Sequence, residues 1–262
     1  MYADGFNPRV LKACAWCGFI FCAMWLIGAG PMTGWLYLPP PSAANSAATT
    51  LADYNSKDIM FLRLGITICN FASFFYIFWG MVVTLMTKKI EGEYPILFYA
   101  QLVSLAACVV VILYIAYFWA CAAWRPGETS MEVTQVLNDL GWLGVPCTGA
   151  PFSAYQIALG IVTLMDKSDQ PVYPRWSAYM NFFIAIFFFE AAGTLFFKTG
   201  PFSQTGLFVF YIPMALFFIW ISMFSVLAIR AINAEVAKRE GQNGKLHQTT
   251  GNSRVSAQVT AT

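Results

Sequence analysis

Residues 96–124 read ILFYAQLVSLAACVVVILYIAYFWACAAW, an apolar run with no charged side chain. A hydrocarbon core about 30 Å thick is crossed by about 20 mainly apolar residues in a helix, so this stretch is long enough to span a bilayer. It is helical by necessity, because a chain in lipid satisfies its backbone N–H and C=O groups internally, and closed barrels show an alternating pattern that is absent here. Working outward, five more runs have the same character: Val10 to Tyr37, Ile59 to Met86, Trp142 to Met165, Ser177 to Thr199 and Leu207 to Ile232. Phe187, Phe188 and Phe189 point to all sides of a helix, which excludes a one-sided surface element there. The expected fold class is all-α, an integral membrane bundle of six transmembrane helices.

Composition agrees: 58% of residues are hydrophobic, 17% aromatic and only 11% charged, against about 25% charged in soluble domains. Six spans leave little chain for a separate globular unit. The reading is therefore a membrane domain over 1–240 and a cytoplasmic tail over 241–262, whose Gly, Gln, Asn, Ser and Thr predict disorder. A formal net charge of +2 gives no reason to expect a nucleic-acid partner.

Basic residues set the predicted orientation. Arg9, Lys12, Lys88, Lys89, Lys167, Arg175, Arg230, Lys238, Arg239, Lys245 and Arg254 fall on one side, and Lys57, Arg63, Arg125 and Lys198 on the other. That excess places both termini in the cytoplasm. The first run lacks a small-residue cleavage pattern and reads as a retained span rather than a signal peptide. Gly28, Gly30, Pro31 and Gly34 are expected to bend or end it near the outer face.

Of the two longer outer links, Leu38 to Asp58 begins with Pro39, Pro40 and Pro41 and reads as an irregular loop. In Trp124 to Gly141, Thr129 and Glu132 have capping-box spacing, and Val133, Val136, Leu137 and Leu140 repeat on one helical face. This predicts a short amphipathic helix between spans 3 and 4.

Absences limit the chemistry. The single histidine, His247, lies in the tail, so haem, copper and di-iron sites in the bundle have no ligands, and neither a metal nor a cofactor is expected. The last span has no lysine for a retinal Schiff base, and no Walker loop or nucleophile elbow is present. One acid, Glu190, lies inside a span among phenylalanines and needs a partner or a proton. Arg63 and Lys198 fall in the same half of the membrane, and Asn70 shares a helix face with Arg63. These four residues form a candidate buried polar cluster, read either as a ligand or ion site or as a pair that fixes helix packing.

Cys14 and Cys17 form a Cys-x-x-Cys, which reads as a redox pair or as small packing residues. Cys121 and Cys147 flank the second outer link and are candidates for a disulfide. Trp35, Tyr37, Trp119, Trp124, Trp142 and Trp176 suit interfacial belts, whereas Phe71, Phe74, Phe75, Phe78 and Trp79 suit helix packing, lipid contact or a pocket wall. Pro213 inside the last span predicts a kink.

Two stretches, Glu128 to Gln135 continuing to Asn138 to Trp142, and Tyr173 to Trp176 followed by Phe196 to Phe202, resemble a family of bacterial multi-pass membrane proteins of unassigned function. The resemblance implies the six-span topology and a bacterial inner membrane, and brings no catalytic residue with it. Three functions stay open. The leading one is a non-enzymatic component that binds or moves a small hydrophobic or amphipathic molecule. The others are an accessory subunit, with a membrane-protein partner or a second copy beside the lipid bilayer, and a thiol-dependent enzyme using Cys14 and Cys17.

Overall fold

Asn7 opens the first span, its side-chain carbonyl accepting from the N–H groups of Arg9 at 3.2 Å and Val10 at 3.4 Å, while Pro8 occupies the first turn, where its missing donor costs nothing. The computed structural model describes residues 6–34 and 42–259, with the side chains of 190–192 and 243–259 outside that description. Trp35, Tyr37 and the three prolines of the first outer link also lie outside the described residues.

Among the described residues the fold is all helix. Helix α1 (Pro8–Ile27) runs into a π-helical turn, Gly28–Met32. Next come α2 (Ala47–Ser56), α3 (Ile59–Thr87), α4 (Ile96–Trp124), α5 (Met131–Cys147), α6 (Ala150–Met165) and α7 (Arg175–Glu190). A second π turn, Leu207–Tyr211, leads into α8 (Ile212–Val259). Among the described residues, six helical units are long and apolar enough to cross a membrane: Pro8–Met32, Ile59–Ile90, Ile96–Trp124, Met131–Met165, Arg175–Leu195 and Leu207–Gln242. The six predicted spans are all present.

The spans form a ring in chain order. Helix α1 packs on α3, α3 on α4, α4 on both α5 and α6, α6 on α7, and α8 returns to α1 while also touching α3. The start of α1 and the later part of α8 meet on one face, here the terminal face: the Arg239 guanidinium lies 4.2 Å from the Phe6 ring centroid, and Glu235 bonds Arg239 at 2.7 Å and Lys89 at 3.4 Å.

Helices in lipid gain no hydrophobic energy by associating, so they rely on close approach and hydrogen bonds. The first two spans meet through glycines. A Cβ on Gly28 would stand 2.7 Å from the Gly65 carbonyl oxygen, and one on Gly65 would stand 2.7 Å from that of Gly28. Elsewhere, the Tyr155 hydroxyl meets Thr84 Oγ1 at 2.9 Å and donates to the Gly80 carbonyl at 3.2 Å, and Ser153 donates to the Ala185 carbonyl at 3.1 Å.

Two expectations are corrected. The first outer link contains α2, capped by Ser46, whose Oγ accepts from the Thr49 N–H at 3.2 Å; α2 packs on α5, with Tyr54 donating to Asn138 Oδ1 at 3.2 Å. Burial raises the Tyr54 phenol well above its usual range, so it stays a donor. The second link holds no separate amphipathic helix, because α5 runs unbroken from Met131 into the fourth span. Its cap is Ser130 rather than Thr129, and Val133 and Val136 are exposed while Thr134, Asn138 and Gly141 are buried, since α2 and α4 cover that face. Helix α8 is continuous to Val259.

At the terminal face, the link between α6 and α7 is fastened by Asp166, which accepts from the Ser168 N–H at 3.1 Å, the Ser168 hydroxyl at 2.7 Å and the Val172 N–H at 2.7 Å. Burial alone would raise this carboxyl, but these donors outweigh it and hold its pKa below the ordinary 3.8. The stabilisation is therefore complete above the unfolded value and is lost as pH falls through the lower folded one. Asp166→Asn should remove that part of the acid-side loss in a thermal unfolding series against pH.

Gly65→Val should cost about 1–3 kcal/mol by forcing α1 and α3 apart, read as a lower unfolding midpoint in detergent. Gly241→Ala, which meets open space, should leave the midpoint unchanged.

Candidate functional site

The polar residues singled out by sequence are distributed over different parts of the ring. Arg63, in the first turn of α3, donates from Nε to the Ala123 carbonyl at 3.0 Å and from a terminal nitrogen to the Trp124 carbonyl at 2.7 Å, with its guanidinium 5.7 Å from the Trp124 ring centroid. The last carbonyls of a helix lack intrahelical donors, and a cation there complements the helix dipole, so Arg63 caps α4. Asn70, two turns along, lies beside Val110, Tyr114 and Tyr117 of α4. Both residues thus lie on the α4 side of α3.

Glu190 is the last residue of α7, with its side chain outside the described residues. Helix α7 packs chiefly on α6, and α3 chiefly on α1 and α4, so the principal packing does not pair their helices. Lys198 is exposed beyond α7, within electrostatic reach of Asp139 on α5.

All seven cysteines are free thiols. Cys14 and Cys17 are half-buried against the core, with the Cys17 thiol bonded to the Ala13 carbonyl at 3.3 Å. Cys121 and Cys147 stand unbonded to each other. No group of three or more His, Cys, Asp or Glu suited to a metal occurs among the described residues.

Between the spans, in the half of the bundle away from the terminal face, lies a partly open apolar cavity of about 60 Å³. Phe21 and Trp25 of α1, Ile112 and Ile115 of α4, Val145 of α5, Phe152 of α6, Phe188 of α7, and Val209, Pro213 and Phe217 of the last span all line it. No ionisable side chain is among the described lining residues.

Two backbone irregularities shape this space. Pro213 has no N–H, and just before it the chain widens into the π turn, where the Ile212 N–H reaches back to the Leu207 carbonyl. Near Pro146 the fourth span breaks between α5 and α6, and a Cβ on Gly149 would collide with the Phe188 carbonyl oxygen. Irregular backbone at membrane depth is tolerated where it is buried or lines a cavity, and both breaks adjoin lining residues.

Aromatic rings line the cavity in part and pack behind it. Trp25, Trp119, Trp142 and Phe210 follow one another with centroids 6.2, 4.8 and 5.7 Å apart, linking α1, α4, α5 and the π turn. Gly141 makes room for this chain, since a Cβ there would stand 2.5 Å from the Trp119 ring. Towards the terminal face the cavity ends on three rings in mutual contact: Phe152 and Phe188 at 5.5 Å, Phe152 and Phe217 at 5.5 Å, and Phe188 and Phe217 at 6.1 Å.

The sequence marks Pro213 but not Phe152 or Phe217, and it assigns Trp119 and Trp142 to interfacial belts, whereas both are buried in the core; aromatic residues fill every span, and periodicity does not tell an inward ring from a lipid-facing one. The usable signal was the coincidence of Pro146, Gly149 and Pro213 within predicted spans, which marks where backbone irregularity must be housed.

Arg63→Met should lower stability by about 1–2 kcal/mol through loss of the two charged bonds to α4. Arg63→Lys should recover only part, since one ammonium does not reproduce the guanidinium fork; unfolding midpoints in detergent check both. Comparison with known protein families, with characterised proteins and with solved structures finds no match for this chain.

Proposed function

We propose that this chain is a non-enzymatic multi-pass protein of a bacterial cytoplasmic membrane, with both termini cytoplasmic, that binds or moves a small hydrophobic or amphipathic molecule. The observation that carries this reading is the apolar cavity bounded by Phe152, Phe188 and Phe217. An apolar hollow inside a bundle is the usual setting for a ligand. Its volume of about 60 Å³ is less than half of the roughly 150 Å³ at which an apolar protein cavity takes up benzene. It therefore suits a slender group, such as the end of an alkyl or prenyl chain, and a bulkier body requires the aromatic wall to move. Glu190, two residues along α7 from the lining Phe188, is assigned to a polar end lying outside the cavity, with Asn70 and Lys198 as further polar groups of the same half.

Native mass spectrometry of the protein in mild detergent tests the reading. The parent should carry a co-purified small molecule, and both Val145→Phe, which fills the cavity, and Glu190→Gln should lose it while accumulating normally. A parent that carries a partner subunit and no small molecule would make the chain an accessory subunit instead.

A further inference from the structure

Beyond the phenylalanine floor, towards the terminal face, two carboxamides are sealed inside the bundle. Gln156 of α6 and Asn181 of α7 are both fully buried. Neither the amide nitrogen nor the oxygen of Gln156 has a hydrogen-bond partner within the protein, and the Asn181 amide nitrogen likewise has none. The Asn181 oxygen is occupied, accepting from the Trp220 indole N–H at 2.7 Å. Burying an amide without partners is costly, and most native amides avoid it.

The amides occupy the same level. Helices α6 and α7 are antiparallel, with Ser153 bonded to the Ala185 carbonyl on one side and a Cβ on Gly160 lying 3.3 Å from the Ala178 carbonyl oxygen on the other. Between those two contacts fall Gln156 and Asn181. They also lie on the cavity side of their helices: Gln156 is four residues from Phe152, Asn181 seven from Phe188 and Trp220 three from Phe217, each spacing keeping to one helical face. At about 1.5 Å of rise per residue, Gln156 and Trp220 stand about 4–6 Å below the floor and Asn181 about 10 Å.

An apolar cavity cannot by itself select a molecule from a membrane, because lipid tails are as apolar as its walls. Selection requires hydrogen bonds, and the two carboxamides offer unused donors and an acceptor with no net charge. We propose that Gln156 and Asn181 bind the buried end of the ligand, and that this end is an uncharged hydrogen-bonding group such as a hydroxyl or a carbonyl. The proposal deepens the cavity reading and rests on it. The rings of Phe152, Phe188 and Phe217 must part for the group to pass, so they set its width. An ionised end is rejected, since neither amide compensates its charge.

The test uses the full chain in detergent, with hexane, hexan-1-ol and hexanoate as probes at matched micellar mole fraction, read as the rise in unfolding midpoint that binding produces. Hexanol should bind about tenfold more tightly than hexane, and hexanoate no better than hexane. Gln156→Leu and Asn181→Leu should abolish the advantage of hexanol while keeping the hexane effect, whereas Val145→Phe should abolish both. Hexanol equal to hexane in the parent, or an advantage that survives in both leucine variants, overturns the amide site and leaves the cavity reading standing. A hexanol effect that needs Gln156 but has no hexane counterpart supports the amide site and overturns the cavity reading, and no effect of either probe overturns both. If the leucine variants do not accumulate, the three-probe comparison on the parent decides.

Discussion

Backbone hydrogen bonding in hydrocarbon is the constraint on which this structure depends. Where the chain can pair its own N–H and C=O groups it does so as long, straight helices, and these carry little individuality. The distinctive features occur where pairing is interrupted. Pro31 and Pro213 sit in or beside π turns, Pro146 lies just before the break between α5 and α6, and the open end of α4 borrows its donors from Arg63. The breaks near Pro146 and Pro213 open the interior, and the glycine contact between Gly28 and Gly65 closes it on the opposite side of the ring.

The interior is divided by depth. Away from the terminal face it contains the cavity, whose described lining is aromatic and aliphatic. Towards the terminal face it carries hydroxyls and amides, most of them bonded: Tyr155 to Thr84 and Gly80, Tyr173 to the Val83 carbonyl at 3.0 Å, and Trp220 to Asn181. The Phe152, Phe188 and Phe217 rings mark the boundary.

The spans were legible in the sequence because crossing a bilayer imposes length and apolarity on contiguous residues, as Ile96 to Trp124 shows without help from any neighbour. The site was much less legible. Arg63 drew attention as a charge within a span, yet its role as a cap depends on where α4 ends in space. Val133, Val136, Leu137 and Leu140 have helical spacing, but α2 and α4 cover the other face of α5, so Val133 and Val136 are exposed while Leu137 packs against the core. Gln156 and Asn181 are uncharged and isolated in sequence, and only the antiparallel register of α6 and α7 brings them to one level.

The central claim is an apolar cavity between the spans in the half away from the terminal face. Diffraction from crystals held under xenon pressure addresses it most directly, because an empty apolar cavity takes up the gas without regard to the natural ligand. A xenon peak bounded by Ile112, Phe152, Phe188 and Phe217 is the expected result. Xenon confined to the lipid-facing surface, with none inside the ring, would contradict the account.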